Sequence, residues 1–127
     1  IKKLNAEVIS VSTDTAFAHK AWYDTSPTIK KIKFPMLADP ARRVTKAYWT
    51  LIENEGISLR ATYIIDPEGI VKAFEFHDNS IGRNIQELIR KLQAAQYVNK
   101  HKGEVCPMNW QPGKKTLKPG LDLVGKI

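Results

Sequence analysis

The chain has 127 residues, a formal net charge of +7, 43% hydrophobic and 26% charged residues, and one cysteine. That length suits one domain rather than two, and the composition is ordinary for a globular protein. No apolar run approaches the roughly 18 residues of a membrane span, no signal-peptide pattern opens the sequence, and a lone cysteine excludes an internal disulfide framework and points to a reducing compartment, the cytoplasm.

The basic balance raises nucleic acid as a partner, but the cations are scattered. Lys30, Lys31 and Lys33 form one small cluster and Lys114 with Lys115 another. Neither carries interleaved aromatics or a binding motif, so the expectation is solvated basic faces, with no nucleic acid and no membrane bound.

In chain order, residues 7–12 read as a strand rich in β-branched residues (Val8, Ile9 and Val11), apolar on both faces as in a parallel sheet. The sequence therefore reads as though it begins in the middle of a fold. Thr13 and Asp14 offer caps for a helix starting near Thr15, with Phe17/Ala21 and Ala18/Trp22 at i,i+4 spacing. Residues 34–38 form a short extended piece. Asp39-Pro40 then signals a helix to about Tyr48 that turns Val44, Ala47 and Tyr48 inward.

Residues 60–65 read as a strand. Asp66-Pro67-Glu68-Gly69 is a type I turn signal, and residues 70–76 return from it. Asn84 and Glu87 are spaced like a capping box, opening a helix with Ile85, Leu88, Ile89 and Leu92 on one stripe that fades near Tyr97. From Asn99 onward, glycine and proline punctuate the chain and periodicity is lost. Residues 1–98 thus read as one α/β unit with a mixed sheet, and residues 99–127 as an arm whose apolar side chains pack on a neighbouring chain.

Few residues suggest chemistry by themselves. Cys106 lies in the punctuated arm, which favours an accessible thiol over a buried inert one. Arg60, on position alone, is a surface arginine at a strand end. Arg83 is a first-turn helix residue, solvated or paired with Glu87. His19, His77 and His101 share no metal-ligand spacing with Cys106 or each other, so no metal is expected. There is no phosphate-binding glycine loop, no Cys-x-x-Cys and no cofactor signature.

Five segments gain meaning together. They are Val11-Ser12-Thr13-Asp14, Phe34-Pro35-Met36-Leu37-Ala38-Asp39-Pro40, the run from Arg60 to Gly69, Ile81-Gly82-Arg83-Asn84, and Gly103-Glu104-Val105-Cys106-Pro107. In this order and spacing the sequence resembles the C-terminal two-thirds of the alkyl hydroperoxide reductase C subunits, bacterial typical 2-Cys peroxiredoxins. The ending Leu121-Asp122-Leu123-Val124-Gly125-Lys126-Ile127 is similar to the terminus of that subunit. The resemblance implies a thioredoxin-like α/β fold lacking its N-terminal strands, with residues 99–127 as the arm that carries the resolving cysteine.

It further implies a thiol peroxidase for hydrogen peroxide and organic hydroperoxides, in which a peroxidatic thiolate becomes sulfenic acid and a second thiol condenses with it. Cys106 matches the second, resolving thiol. Arg60 and Arg83 match the arginines of the peroxidatic site. The peroxidatic cysteine itself has no counterpart among these residues. Implied partners are an identical subunit bridged through Cys106, a dimer assembling into a decameric ring through the surface around Phe17 and Trp22, and a flavoprotein disulfide reductase or a thioredoxin-like reductant. The Phe17/Trp22 face reads equally well as ordinary helix packing. The segment 26–30 lacks the Gly-Gly-Leu-Gly insertion of overoxidation-prone members, which implies the robust bacterial type. The alternative is a non-catalytic assembly or interaction module.

Overall fold

The computed structural model describes residues 1–126. Their contacts cluster into two units, Ile1–Thr62 with Glu75–Arg83, and Tyr63–Phe74 with the described residues from Asn84 onward. Among the described residues the sheets are two-stranded, and both parallel and antiparallel pairing occur.

The first unit opens with a 3-10 turn, Lys2–Leu4, and then β1 (Ser10–Ser12). β1 pairs in parallel with β2 (Met36–Ala38), Ser10 opposite Met36 and Ser12 opposite Ala38. The strand is shorter than the β-branched run suggests. Between these strands runs α1 (Ala16–Thr25). Its cap is Thr15, one residue beyond the expected pair: the Thr15 hydroxyl accepts from the Ala18 amide at 3.1 Å. At the far end the Thr25 hydroxyl donates to the Ala21 carbonyl at 2.7 Å, and Pro27 lies just past the last turn. The apolar positions of α1 do not face a core. Phe17 is 88% exposed and Trp22 53%, while the buried residue of the helix is His19.

Asp39 does start α2 (Arg43–Ala47), but from a distance. Its carboxylate accepts from the Arg43 amide at 2.9 Å, the Thr45 amide at 2.8 Å and the Thr45 hydroxyl at 2.6 Å. Arg42, between them, takes a left-handed conformation (φ 57°), and its Nε donates to the Gly56 carbonyl at 2.8 Å. Residues 40–42 are therefore a turn, and the helix is shorter than expected. Val44, Ala47 and Tyr48 are exposed; the inward residue is Thr45. Thr45 and Thr50 are buried and joined by the Thr50 hydroxyl donating to the Thr45 carbonyl at 3.1 Å. Asp39, Thr45 and Thr50 thus form a polar column in which the buried groups are hydrogen-bonded.

An unexpected hairpin follows, β3 (Leu51–Ile52) with β4 (Ile57–Ser58), Leu51 opposite Ser58. Gly56 at its turn has φ 68°, and a Cβ there would come within 2.7 Å of the Arg42 guanidinium. Glycine takes this left-handed conformation without strain, and any side chain would displace the Arg42 guanidinium. β5 (Arg60–Ile65) has the expected bounds, and β6 (Val71–His77) pairs with it. The turn joining them behaves as read: the Gly69 amide donates to the Asp66 carbonyl at 2.9 Å, and Gly69 has φ 83°.

In the second unit, α3 spans Ile85–Lys100, three residues beyond the expected end. Asn84 caps it, accepting from the Gln86 and Glu87 amides at 3.0 and 3.1 Å. The reciprocal half of a capping box does not form, because the Glu87 carboxylate is taken by Arg90. Beyond α3 the chain is folded back rather than extended. Val105 and Leu117 exchange backbone hydrogen bonds at 2.8 and 2.9 Å. Trp110, at 2% exposure, is buried in its own unit rather than held out for a neighbouring chain.

Candidate functional site: the cysteine clasp and the arginine pair

Cys106 is a free, half-buried thiol in the second unit. Three ties hold the segment around it. Upstream, Glu104 accepts from the Tyr97 hydroxyl at 2.9 Å and from the Thr116 hydroxyl. Next to the cysteine, Val105 makes the backbone bridge to Leu117. Downstream, the Trp110 amide donates to the Pro107 carbonyl at 3.0 Å, closing a turn whose left-handed residue is Asn109 (φ 58°).

Trp110 anchors that turn. Its ring lies 5.0 Å from the Tyr97 ring, and its Nε1 donates to the Lys114 carbonyl at 3.0 Å. Its own carbonyl accepts from Arg90 Nη1 at 3.1 Å. Arg90 is oriented in turn by a two-point fork with Glu87, at 2.6 and 2.8 Å. His101 stacks on Tyr97 at 3.9 Å between ring centroids.

The electrostatics at the sulfur oppose one another. Burial pushes the Cys106 thiol above its ordinary value, Arg90 pulls it down, and Glu104 pushes it up again. Hydrogen bonds from the Thr116 and Tyr97 hydroxyls hold the Glu104 carboxyl below the usual range, so it stays charged. The net direction is upward, with burial the largest cause.

Arg60 and Arg83 sit in the first unit. Arg60, the first residue of β5, donates from Nε to the Asn79 carbonyl at 2.8 Å. Arg83 donates from Nη1 to the Ala61 carbonyl at 3.2 Å, one residue from Arg60. Both are exposed. Arg83 is thus neither simply solvated nor held by a carboxylate; it is tied to β5. The loop from 78 to 83 is shaped by Asp78, which accepts from the Ser80 amide and hydroxyl at 2.8 and 2.5 Å. One donor of each guanidinium is spent on backbone, and the rest stay available for an anion or a polarised oxygen. The structure therefore brings Arg60 and Arg83 together, and it places Cys106 in the other unit.

The three histidines differ in setting. His19 is buried, its Nε2 2.6 Å from the Ser12 hydroxyl, which donates to Asp14 at 2.7 Å. His77 lies 3.5 Å from Glu75. Among the described residues no three His, Cys, Asp or Glu side chains form a metal-binding group, and no helix is long and apolar enough to cross a membrane.

Sequence reasoning missed Glu87, Arg90, Tyr97 and Trp110 as parts of the clasp. The i,i+3 spacing of Glu87 and Arg90 was a usable signal for their ion pair. Nothing local marks the link from Arg90 to Trp110, twenty residues away.

Residues 1–74 match the AhpC/TSA family, and residues 94–124 match the C-terminal domain of 1-Cys peroxiredoxin. Alkyl hydroperoxide reductase C of Pseudomonas aeruginosa is 52% identical over 99% of this chain and 67% of its own length. The protein of the same name from Escherichia coli is 50% identical over the whole chain and 68% of its length. Among solved structures, Enterococcus faecalis AhpC superposes with a TM-score of 0.80 at 49% identity, covering 84% of this chain and 64% of that one. The reduced Plasmodium vivax 2-Cys peroxiredoxin gives 0.89 at 35% identity, covering 95% and 63%. The chain therefore spans about two-thirds of the relatives it matches, and the mixed helices and strands described above are those of the thioredoxin-like peroxiredoxin fold. With its first 74 residues matching the family's model and half its positions identical to full-length members, the chain belongs to the AhpC/TSA family.

Proposed function

We propose that this chain supplies the resolving thiol and the arginine pair of a thiol peroxidase that reduces hydrogen peroxide and organic hydroperoxides. The observation that carries this reading is Cys106 itself: a free thiol, beside the backbone bridge of Val105 and Leu117, in a chain half identical to alkyl hydroperoxide reductase C.

The chemistry proposed is the one that the resemblance to the family implies. A peroxidatic thiolate on a partner subunit attacks the peroxide O–O bond and takes one oxygen, becoming sulfenic acid, while the other oxygen leaves as alcohol or water. The Cys106 sulfur then attacks the sulfenic sulfur. An S–S bond forms and the S–O bond breaks. The departing hydroxide takes up the proton given up by the thiol and leaves as water. An external dithiol, from a flavoprotein disulfide reductase or a thioredoxin-like protein, returns the two electrons by exchange. Arg60 and Arg83 stabilise the peroxidatic thiolate and the polarised peroxide oxygens through their free donors.

In this reading residues 1–98 belong to the thioredoxin-like domain and residues 99–127 form the arm that travels to the partner. The exposed Phe17 and Trp22 provide the surface through which dimers build a ring. The compartment is the cytoplasm, where thiols are kept reduced.

A chimera tests the proposal. The N-terminal third of a full-length relative, carrying its own cysteine, is joined to these 127 residues, and peroxide consumption is followed with an excess of dithiol. Turnover is expected. Arg60→Ala should lower the rate of peroxide reduction by about 100-fold or more, the usual effect of losing a charge-stabilising donor, and Arg83→Ala by less. An unchanged rate in Arg60→Ala would remove the arginine from the site. The 127-residue chain alone should consume no peroxide catalytically, with or without Cys106→Ser.

A further inference from the structure

Arg90 has more interactions than a helix-surface arginine needs. Both edges of its guanidinium are committed, Nε and Nη2 to Glu87 and Nη1 to the Trp110 carbonyl. The Trp110 bond reaches the end of the turn that begins right after Cys106, and the Trp110 amide closes that turn on Pro107. The group is only partly exposed, so its charge is incompletely screened.

We propose that Arg90 is a positioning residue for Cys106: forked by Glu87 and bonded to the Trp110 carbonyl, it pins the turn that follows the cysteine and is itself held at that turn. The role rests on reading Cys106 as the resolving thiol.

The charged and titratable groups that act on the sulfur are few. From α3 come Arg90 and Tyr97, and from the cysteine's own segment comes Glu104. Tyr97 is neutral and bonded to Glu104. Burial and Glu104 both disfavour the thiolate, and Arg90 is the one group that favours it. Glu87 sets how strongly it does so, because the fork neutralises part of the guanidinium charge. The clasp therefore has two parts with opposite effects on the sulfur: Arg90 promotes ionisation, and Glu87 tempers it.

The attacking step of thiol exchange depends on this balance. The attacking sulfur must be a thiolate. A buried thiol next to Glu104 with no compensating cation would ionise less readily. Arg90 supplies the cation at the resting position, before the loop is released.

The single cysteine makes the test direct, because any alkylation of the 127-residue chain reads Cys106 alone. The rate of iodoacetamide alkylation is measured against pH for the natural sequence, Arg90→Met, Arg90→Lys and Glu87→Gln, with each variant also measured in urea as its unfolded baseline. Arg90→Met should slow alkylation at neutral pH about threefold and move the midpoint up by about half a pH unit. Arg90→Lys should retain most of the natural profile. Glu87→Gln should move the midpoint down, opposite to Arg90→Met.

A purely structural clasp gives a different pattern: loosening either partner would expose the thiol and shift both variants the same way. Coincident profiles for Arg90→Met and the natural chain, or shifts of the same sign in Arg90→Met and Glu87→Gln, would overturn the proposal. Should Arg90→Met unfold and match its urea baseline, the direction of the Glu87→Gln shift decides alone. Iodoacetamide needs neither peroxide nor a second cysteine, so failure here leaves the peroxidase reading standing, and failure of that reading leaves this result intact.

Discussion

Trp110→Ala is expected to destabilise the second unit by about 3–5 kcal/mol, the range for truncating a large buried aromatic. Trp110 is the most buried hydrophobic residue described, and three ties converge on it: the Tyr97 ring, the Lys114 carbonyl and Arg90. Removing the indole empties the slot under the cysteine loop, so Cys106 should also become markedly more reactive toward alkylation, approaching its rate in urea. Trp110→Phe should keep most of the packing and lose chiefly the Nε1 hydrogen bond, at about 1 kcal/mol. Urea unfolding followed by far-ultraviolet circular dichroism checks both variants. A loss below about 1 kcal/mol in Trp110→Ala would mean that the loop is not held by this residue.

The second large effect concerns acid. Folding holds the Asp39 carboxyl below its ordinary value of 3.8, first through the Thr45 hydroxyl and then through the Thr45 amide. A carboxyl depressed in the folded state binds its proton more readily when the chain is unfolded. Its stabilisation is therefore complete above 3.8 and is lost as pH falls through the lower folded value. In Asp39→Asn the side-chain amide replaces one acceptor oxygen with a donor facing the Arg43 and Thr45 donors. That variant should be less stable at neutral pH and lose less on acidification. Asp66, Asp78, Glu87 and Glu104 are depressed as well and will keep part of the acid limb. Equal acid sensitivity in both proteins would show that Asp39 does not organise α2.

Where structure is decided by neighbours in sequence, it was legible. Asp66-Pro67-Glu68-Gly69 dictates its turn with its own side chains and one glycine, and Asn84 caps α3 through its own Oδ1. β5 follows from its β-branched and aromatic run. Legibility failed where a side chain reaches further. Asp39 and Pro40 look like a cap and a first helical residue, but the carboxylate spans four residues to Arg43, which forces Arg42 into the left-handed region and leaves only five residues of α2. The i,i+4 spacing of Phe17 with Ala21 and of Ala18 with Trp22 placed these pairs on neighbouring parts of one face. It could not show that the face is exposed, because periodicity does not say what lies opposite.

The candidate site divides the same way. Cys106, Arg60 and Arg83 are candidates because their short motifs resemble a family's. The clasp was not legible, because it depends on pairs from Tyr97 to Glu104 and from Arg90 to Trp110 that only the folded chain brings together. Glycine and proline in the arm marked the loss of periodicity, and two of these glycines, Gly103 and Gly113, take positive φ.

The most direct test asks whether Cys106 joins a sulfenic acid on another subunit. The chain is mixed with a full-length relative whose own resolving cysteine is replaced by serine, a single equivalent of peroxide is added, and intact masses are recorded without reductant. The proposed chemistry predicts a peroxide-dependent species whose mass is the sum of the two chains less two hydrogens, joined through Cys106 and absent with Cys106→Ser. If the relative's cysteine is oxidised while Cys106 stays free, the assignment of Cys106 as the resolving thiol is wrong.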